Sequence, residues 1–151
     1  MIKIICFGKI KEQCIKDCIN DYIKRIKKFH NIEIIELLDE TKYDINKELA
    51  KESDKILNLI TNKDYIIVLD QLGIKPNSIE LSNIIDKSFI NKPNLVFIIG
   101  SSNGIDKSIK DIANLSISFS NLTFPHQLFR VILLEQIYRS FKIINNEEYH
   151  K

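Results

Sequence analysis

Short apolar runs alternate with amphipathic segments along almost the whole of this 151-residue chain. Five runs are apolar enough to predict buried strands: Ile2–Phe7, Ile32–Leu38, Tyr65–Leu69, Leu95–Ile99 and Leu115–Phe119. The segments that follow them carry apolar residues at helical spacing, which predicts helices over Glu12–Lys28, Ile45–Ile60, Ser78 onward, Ile105–Ala113 and His126–Ile144. Strands that alternate with helices predict one mostly parallel, helix-covered sheet.

Polar connections separate these elements. We expect loops over Asp39–Asp44 and over Gln71–Asn77, and we expect Ser78 to cap the third helix. In a parallel sheet of this kind, ligands bind beyond the carboxyl ends of the strands. The corresponding strand ends here are Asp70, Gly100 and Ser120.

The composition favours one soluble domain that spans residues 1–151. A chain of this length buries roughly 70% of its unfolded surface, which is enough for a substantial core. The net charge is only +2, so charge alone gives no support for binding to a polyanion. No apolar run approaches the roughly 18 residues of a membrane span, and the N-terminal residues are typical of a first strand rather than a signal peptide. We therefore expect a cytoplasmic protein that does not enter a membrane.

The three cysteines form no CxxC pair. Cys14 and Cys18 lie four residues apart on the apolar stripe of the first predicted helix. We interpret them, with Cys6, as buried free thiols in a reducing compartment. A metal site is not predicted, because no cluster of His, Cys and carboxylate residues has metal-ligand spacing. A GxSxG motif is also missing from the sequence, so hydrolase chemistry finds no support.

A glycine turn follows the fourth predicted strand, with the sequence Gly-Ser-Ser-Asn-Gly at residues 100–104. It is neither a Walker loop nor a GxGxxG motif. A glycine turn after a buried strand lets backbone approach a small ligand closely, but a purely structural turn is an equally good interpretation of this pattern.

The last predicted helix begins with a Thr-Phe-Pro-His segment, whose proline suits the start of a helix. His126 and Arg130 lie four apart and therefore share a face. One interpretation is a capping histidine and a surface arginine. The other is a functional pair, because only three arginines are present, Arg130 and Arg139 both lie on this helix, and guanidinium groups suit phosphate recognition.

This helix is apolar on more than one face, with apolar residues throughout 128–141. A helix that is apolar nearly all round is buried. Core on one side and a subunit interface on the other would explain the pattern, and so would a fully internal helix. The tail that follows is short and polar and ends with Tyr149 and His150, which alone would be a weak signal for function.

Three segments together resemble one family: IIGSSNG, the stretch FSNLTFPHQLFRVILLEQIYRSFKI and the terminal EEYHK. They are similar to the large-subunit ribosomal RNA methyltransferase H family, within the SPOUT superfamily of knotted methyltransferases. The opening strand with FGKIKE and the strand order match as well, so the resemblance covers the whole chain. It implies a single-domain α/β fold, a parallel-sheet α/β/α sandwich whose C-terminal part forms a trefoil knot.

The same resemblance implies an enzyme that methylates N3 of a pseudouridine in 23S rRNA. The methyl donor would be S-adenosylmethionine, the product S-adenosylhomocysteine, and no metal would be needed. The implied partners are a second copy of the chain, forming a homodimer, and the assembled 70S ribosome. The implied cofactor-binding residues lie in the strand-end loops: Leu69, Gly100, Phe119, Ser120, Asn121, Leu122, Thr123 and Phe124.

The RNA side of the implied site lies on the last helix and the tail. Its candidates are Tyr149, His150 and Arg130 as catalytic residues and His126 and Arg139 as RNA contacts. Methylation must remove the N3 proton, and an imidazole titrates in a suitable range, so His150 is a candidate base. Tyr149 would stack on the target base or orient it. The identity of the base stays open.

The chain departs from the family pattern at Ser101, where the family usually has a second glycine. A side chain there could crowd the cofactor or change a backbone angle. Because the rest of the loop is intact, we expect the serine to be accommodated. Two other functions remain open at this point. One is a flavodoxin-like nucleotide-binding regulator without catalysis, and the other is a ribosome-binding protein that has lost its activity.

Overall fold

The computed structural model describes residues 1–40, 42 and 44–150. In this part of the chain, five strands alternate with five helices. The strands are β1 (Ile2–Phe7), β2 (Ile32–Leu37), β3 (Asp64–Ile74), β4 (Asn94–Ile99) and β5 (Leu115–Ile117). The helices are α1 (Gln13–Ile26), α2 (Ile45–Leu57), α3 (Ser78–Asn91), α4 (Lys107–Ile112) and α5 (His126–Ile144). The alternation predicted from the sequence is therefore confirmed.

All five strands belong to one sheet with the order β2-β1-β4-β3-β5. Every neighbouring pair is parallel. At the start of the sheet, Ile2 stands opposite Ile32 on one side and Leu95 on the other. Because all strands run the same way, their carboxyl ends meet at one edge, where the fold class predicts a ligand site.

Helices cover both faces of the sheet, and successive residues of a strand point into different cores. Ile4 and Cys6 of β1 belong to the core beneath α1, α3 and α5, whereas Ile5 and Phe7 belong to the core beneath α2 and α4. The structure is thus the predicted three-layer α/β/α sandwich. No helix in the described part of the chain combines the length and the apolar character needed to cross a bilayer.

Helix α5 packs against both α1 and α3. Leu133, Leu134 and Ile137 of α5 are completely buried in the core. Leu128 lies on another side of the helix and is 42% exposed. The apolar residues of α5 therefore lie on two sides of the helix. One side packs in the core, and the outer side is partly exposed.

The cysteine prediction was wrong for two of the three thiols. Cys6 is buried in β1, but Cys14 and Cys18 are exposed on α1. Burial raises the pKa of the Cys6 thiol to about 11. The core contacts of α1 come instead from Ile19 and Ile26, because the helix turns a neighbouring stripe toward the sheet.

Several boundaries also differ from the sequence-based prediction. Asn77, not Ser78, caps α3, since its side chain accepts a hydrogen bond from the backbone N–H of Glu80 while Glu80 caps Asn77 in return. Strand β3 does not end at Leu69 but continues to Ile74. Pairing with β5 restarts after a bulge, where Ile74 stands opposite Ile117.

The remaining boundary differences are small. Helix α2 ends at Leu57 rather than near Ile60, and β5 ends at Ile117 rather than Phe119. Helix α4 begins at Lys107, where the Asp106 side chain caps it by accepting from the N–H of Ser108. The loop predicted over Asp39–Asp44 includes residues 41 and 43, which lie outside the described residues.

Candidate functional site

A cleft of about 640 Å³ opens at the carboxyl edge of the sheet, where β4 and β5 end and β3 passes Leu69. The second half of β3, the segments that follow β4 and β5, and Phe129 of α5 form its walls. The lining mixes large apolar side chains with hydroxyl, amide and charged ones, mostly from residues 69–72, 99–105 and 117–124. A cleft of this size and composition suits a small organic ligand with both apolar and polar parts.

The glycine turn after β4 forms one wall of the cleft and requires glycine at its first position. A Cβ atom on Gly100 would lie 2.3 Å from the carbonyl oxygen of Gly104 and 2.6 Å from Cγ1 of Ile105. Gly104 itself has a φ of +86°, a conformation that glycine adopts readily. Any side chain at position 100 would therefore displace the turn itself rather than merely fill the cleft.

The turn accommodates the side chain of Ser101, as the intact loop led us to expect. Its hydroxyl donates a 2.7 Å hydrogen bond to Oε2 of Glu52 on α2, and the residue is only 8% exposed. The backbone at Ser101 also avoids positive φ values, so no changed backbone angle is needed. The serine is accommodated because a carboxylate of the neighbouring layer accepts its hydroxyl.

An ion pair lies on the β3 side of the cleft, between Asp70 and Lys110 of α4. Burial opposes ionisation of Asp70, but hydrogen bonds from Lys110 and from the Leu72 N–H outweigh it and hold the pKa of the carboxyl below its usual range. Asp70 was predicted from its place at a strand end. The contribution of Lys110 was missed, because a lysine on a polar helix gives no distinguishing signal in the sequence.

Most of the predicted cofactor-binding residues line this cleft. They are Leu69, Gly100, Ser120, Leu122, Thr123 and Phe124. Among the described residues, Phe119 and Asn121 lie outside the lining. The Phe119 ring packs on Phe129 with 5.4 Å between centroids, and Asn121 contacts the Lys75 ammonium. These two residues shape the loop rather than the cleft surface.

His126 lines the mouth of the cleft and is exposed, as the sequence predicts for a contact residue. Arg130 differs from that prediction, although it lies four residues further along the same helix. The Arg130 side chain is 1% exposed, and its guanidinium donates to the carbonyl oxygens of Phe7 and Gly8 and forms a 2.7 Å ion pair with Glu36. It fastens α5 to the ends of β1 and β2 and is not presented to solvent.

The terminal residues Tyr149 and His150 fold back on α5, near its carboxyl end. The Tyr149 hydroxyl donates to Glu135 at 3.3 Å, and the Arg139 guanidinium lies 4.8 Å from the centre of the Tyr149 ring. Nη1 of Arg139 is 3.3 Å from Nδ1 of His150. Since a guanidinium can only donate, this contact requires Nδ1 to be the unprotonated ring nitrogen.

Tyr149 is a poor proton acceptor in this position. Burial, the neighbouring Tyr22 phenol and the Glu135 carboxylate raise the pKa of Tyr149 to about 12. The phenol is therefore protonated at neutral pH and acts as a hydrogen-bond donor and an aromatic surface.

The tail and the cleft lie at different positions along α5. Arg139, which contacts the tail, lies thirteen residues after His126 on one continuous helix. At 1.5 Å per residue these positions are about 20 Å apart along the axis. Of the RNA-side candidates, His126 therefore lies at the cleft, whereas Arg139, Tyr149 and His150 lie further along the helix.

Among the described residues, no three His, Cys, Asp or Glu side chains lie close enough to hold a metal ion. The cleft offers backbone groups, hydroxyls, one ion pair, the imidazole of His126 and aromatic rings. These groups bind and orient a ligand, and a reactive centre would have to come from the ligand itself.

Comparison with known proteins identifies the class to which this fold and cleft belong. A family model described as "Predicted SPOUT methyltransferase" matches residues 1–150. The chain therefore belongs to the SPOUT methyltransferase family.

Curated relatives specify the branch of that family. The chain is 47% identical over 156 residues to the ribosomal RNA large subunit methyltransferase H of Malacoplasma penetrans, with 99% of each chain covered. It is 46% identical over 154 residues to the protein of that name from Caldicellulosiruptor saccharolyticus, with 100% of each chain covered. The corresponding protein of Acetivibrio thermocellus is 44% identical over 157 residues. The resemblance stated from the sequence is confirmed, and a methyltransferase is favoured over a flavodoxin-like regulator.

Proposed function

We propose that this protein transfers a methyl group from S-adenosylmethionine to N3 of pseudouridine 1915 in 23S rRNA. The observation that carries the proposal is full-length similarity to relatives named as ribosomal RNA large subunit methyltransferase H. The whole chain, residues 1–151, would form one SPOUT domain with the trefoil knot that the family implies. It would work in the cytoplasm, where ribosomes are found.

The cleft fits the cofactor in size and in lining. Gly100 belongs to the turn that lines the cleft, and Leu69, Leu122 and Phe124 offer apolar surface for an adenine ring. Asp70 stays ionised and can accept hydrogen bonds from a ribose hydroxyl or attract a positively charged group. When bound, S-adenosylmethionine supplies an activated methyl group on a sulfonium, so that a metal is not needed.

The task of the protein residues is then alignment and proton removal. N3 of pseudouridine gains the methyl group, loses its proton and stays neutral, while the donor sulfur becomes an uncharged thioether. Holding the two reacting atoms in line supplies several kcal/mol of the rate enhancement. A positioned base adds a factor of about 10²–10⁴. Tyr149 is unsuited to be that base because of its raised pKa, and we assign it to stacking or orienting the target base.

We propose that the functional unit is a homodimer formed through the outer side of α5. Leu128, Val131 and Ile132 leave apolar surface uncovered there, and Cys14 and Cys18 are exposed on the adjoining α1. An isologous interface formed by α5 and α1 would cover both the apolar residues of α5 and the two cysteines of α1. In such a dimer, the tail of one subunit could reach the cleft of the other subunit. Within one subunit, Arg139, which contacts the tail, lies about 20 Å along α5 from His126 at the cleft.

Arg139, His126 and the tail would contact RNA, whereas Arg130 would act only by holding α5 in place. The net charge of +2 gives little general attraction to phosphate. We therefore propose that the substrate is the assembled 70S ribosome, whose preformed surface both subunits of the dimer contact.

The test supplies the protein with a labelled methyl donor and three substrates: naked 23S rRNA, isolated large subunits and whole ribosomes, all lacking the modification. We expect label to enter whole ribosomes and to map to N3 of the pseudouridine. Label in naked rRNA at an equal rate would contradict the ribosome preference. If none of the three substrates is labelled although the cofactor binds, the catalytic proposal fails and the chain is better described as a ribosome-binding protein without activity.

A further inference from the structure

Two carboxylates of α2 are buried behind the glycine turn of the cleft. Glu52 is 2% exposed and Glu48 is 7% exposed. They lie four residues apart and therefore share one face of the helix. Carboxylates are almost never buried unless they are paired or hydrogen bonded. Their burial therefore indicates that they accept hydrogen bonds that fix a neighbouring segment of the chain.

Their hydrogen bonds lead to the turn. Ser101 donates from its hydroxyl to Oε2 of Glu52 at 2.7 Å, and Asn103 donates from its side-chain amide to Oε2 of Glu48 at 2.8 Å. The Ser101 hydroxyl also accepts from the Asn103 N–H at 3.3 Å. Two of the three residues between Gly100 and Gly104 are thus attached to one helix by charge-assisted hydrogen bonds, which are the stronger kind.

The helix is itself held on the far side of these contacts. The second oxygen of Glu52 accepts from the backbone N–H of Glu40 at 3.3 Å. Lys55, on the next turn of α2, donates to the Leu38 carbonyl at 2.8 Å and forms a 2.6 Å ion pair with Glu40. Glu52 therefore joins the turn to a segment that is independently fixed beyond β2.

This arrangement matters because the turn is a wall of the cleft. Ser101, Ser102, Asn103 and Gly104 all line it. Besides these side-chain contacts, a backbone hydrogen bond from the Gly104 N–H to the Ser101 carbonyl at 3.0 Å closes the turn. A ligand held by this backbone binds only those protein molecules in which the turn already has the binding geometry. The apparent affinity is therefore lower when a smaller fraction of the protein molecules has that geometry.

We propose that Glu52, supported by Glu48, is a positioning residue that pre-organises the cofactor turn through Ser101 and Asn103. Neither carboxylate lines the cleft, so the pair acts on the ligand only through the turn. The proposal rests on the function proposed above, because it assumes that S-adenosylmethionine occupies the cleft.

The main test variant is Ser101→Ala, which removes the hydroxyl but keeps the Cβ. If the turn then has its binding geometry in about one molecule in ten, the dissociation constant of S-adenosylhomocysteine rises about tenfold in calorimetry. KM for S-adenosylmethionine rises by a similar factor in the methylation assay. The rate constant kcat changes by less than about twofold, because the bound turn is the same.

The matched control is Ser88→Ala on α3. Ser88 is 1% exposed and its hydroxyl donates a 2.7 Å hydrogen bond to the Ile85 carbonyl, so an equally buried hydroxyl is lost away from the cleft. Both variants should unfold at a slightly lower temperature, but only Ser101→Ala should weaken ligand binding. Amide hydrogen exchange at residues 101–105 of the ligand-free protein should also be faster in Ser101→Ala alone.

Variants of Glu52 complete the test. Glu52→Ala should weaken binding at least as much as Ser101→Ala. Glu52→Gln should restore most of the affinity, since its amide can donate to the Ser101 hydroxyl while its oxygen accepts from the Glu40 N–H. A Ser101→Ala protein with wild-type affinity and wild-type exchange would overturn the proposal. A wild-type protein that binds neither cofactor nor product would instead refute the proposed function, and with it the role of the turn in cofactor binding. Faster exchange in Ser101→Ala would then remain only as a property of the turn.

Discussion

Replacing Arg130 by alanine should destabilise the protein strongly, because its guanidinium is buried at the junction of three elements. Removing one member of a buried charged pair costs about 3–5 kcal/mol. Glu36 has a side chain that is 31% exposed and can be rehydrated, which favours the lower end of that range. The carbonyl groups of Phe7 and Gly8 also lose their donor, at about 1 kcal/mol each. We expect a loss of about 3 kcal/mol or more in the free energy of unfolding.

Urea unfolding followed by circular dichroism measures this loss, with Arg139→Ala as the matched control. Arg139 has a 25% exposed side chain and pairs with Glu135 one helical turn away. Such a pair contributes about 0.3–0.5 kcal/mol, and its ring contact about 0.5–1 kcal/mol. For a chain of this size, 3 kcal/mol corresponds to a fall of about 6–12 °C in Tm. Equal effects of the two substitutions would refute the structural role of Arg130.

The same two variants separate an RNA contact from a structural residue. If Arg139 contacts a phosphate, Arg139→Ala lowers the slope of log affinity against log salt concentration for ribosome binding by about one unit. Arg130→Ala, measured below its melting temperature, should leave that slope unchanged. A reduced slope for Arg130→Ala would mean that the guanidinium leaves its buried contacts to bind RNA.

Three further predictions concern the tail and the outer side of α5. The pKa of Tyr149 is raised from 10.0 to about 12. The contact of the tail with α5 should therefore be complete below pH 10 and lost as pH rises through 12. In an ultraviolet titration, Tyr149→Phe should lack one late-titrating phenol that the wild-type protein shows. Ile132→Asp should convert a dimer to a folded monomer in light scattering, whereas Leu134→Asp should unfold the protein, because Leu134 is fully buried; a monomeric wild type would exclude the dimer. Deleting residues 149–151 should leave cofactor affinity within about twofold and abolish methyl transfer, and normal turnover would rule out a role for the tail.

The architecture could be predicted from the sequence because strand and helix periods alternate clearly along the chain. β1 and α5 have the predicted limits, since Gly8 ends the strand with a φ of +77° and Pro125 immediately precedes the helix. The prediction failed where tertiary contacts override local pattern. Strand β3 continues through a segment rich in turn residues because Ile117 of β5 pairs with Ile74 as well as with Leu69. Cys14 and Cys18 lie at helical spacing from the apolar residues of α1 but fall on its exposed side.

The position of the cleft could be predicted from the sequence, but the buried residues that hold its surroundings in place could not. The parallel sheet and the glycine turn place a ligand site at the carboxyl edge, and six of the eight predicted cofactor residues line it. Arg130 was a candidate catalytic residue on the RNA side of the site, and helical spacing places it on the same face as His126. Helical spacing gives the side of the helix on which a residue lies, but not what packs over it. Here the ends of β1 and β2 cover Arg130. Glu48 and Glu52 resemble solvent-exposed helix residues in the sequence, and only the fold reveals their contact with the turn.

The central claim is that the cleft binds S-adenosylmethionine, and titration followed by two-dimensional ¹H–¹⁵N nuclear magnetic resonance tests it most directly. Addition of S-adenosylhomocysteine should shift amide signals in residues 69–72, 99–105 and 117–124. Signals of the shallow groove on α3, around Asn83 and Lys87, should stay unchanged. ATP and flavin mononucleotide at the same concentrations should shift neither set. Saturable shifts outside the cleft, or shifts with these nucleotides and none with S-adenosylhomocysteine, would contradict the assignment.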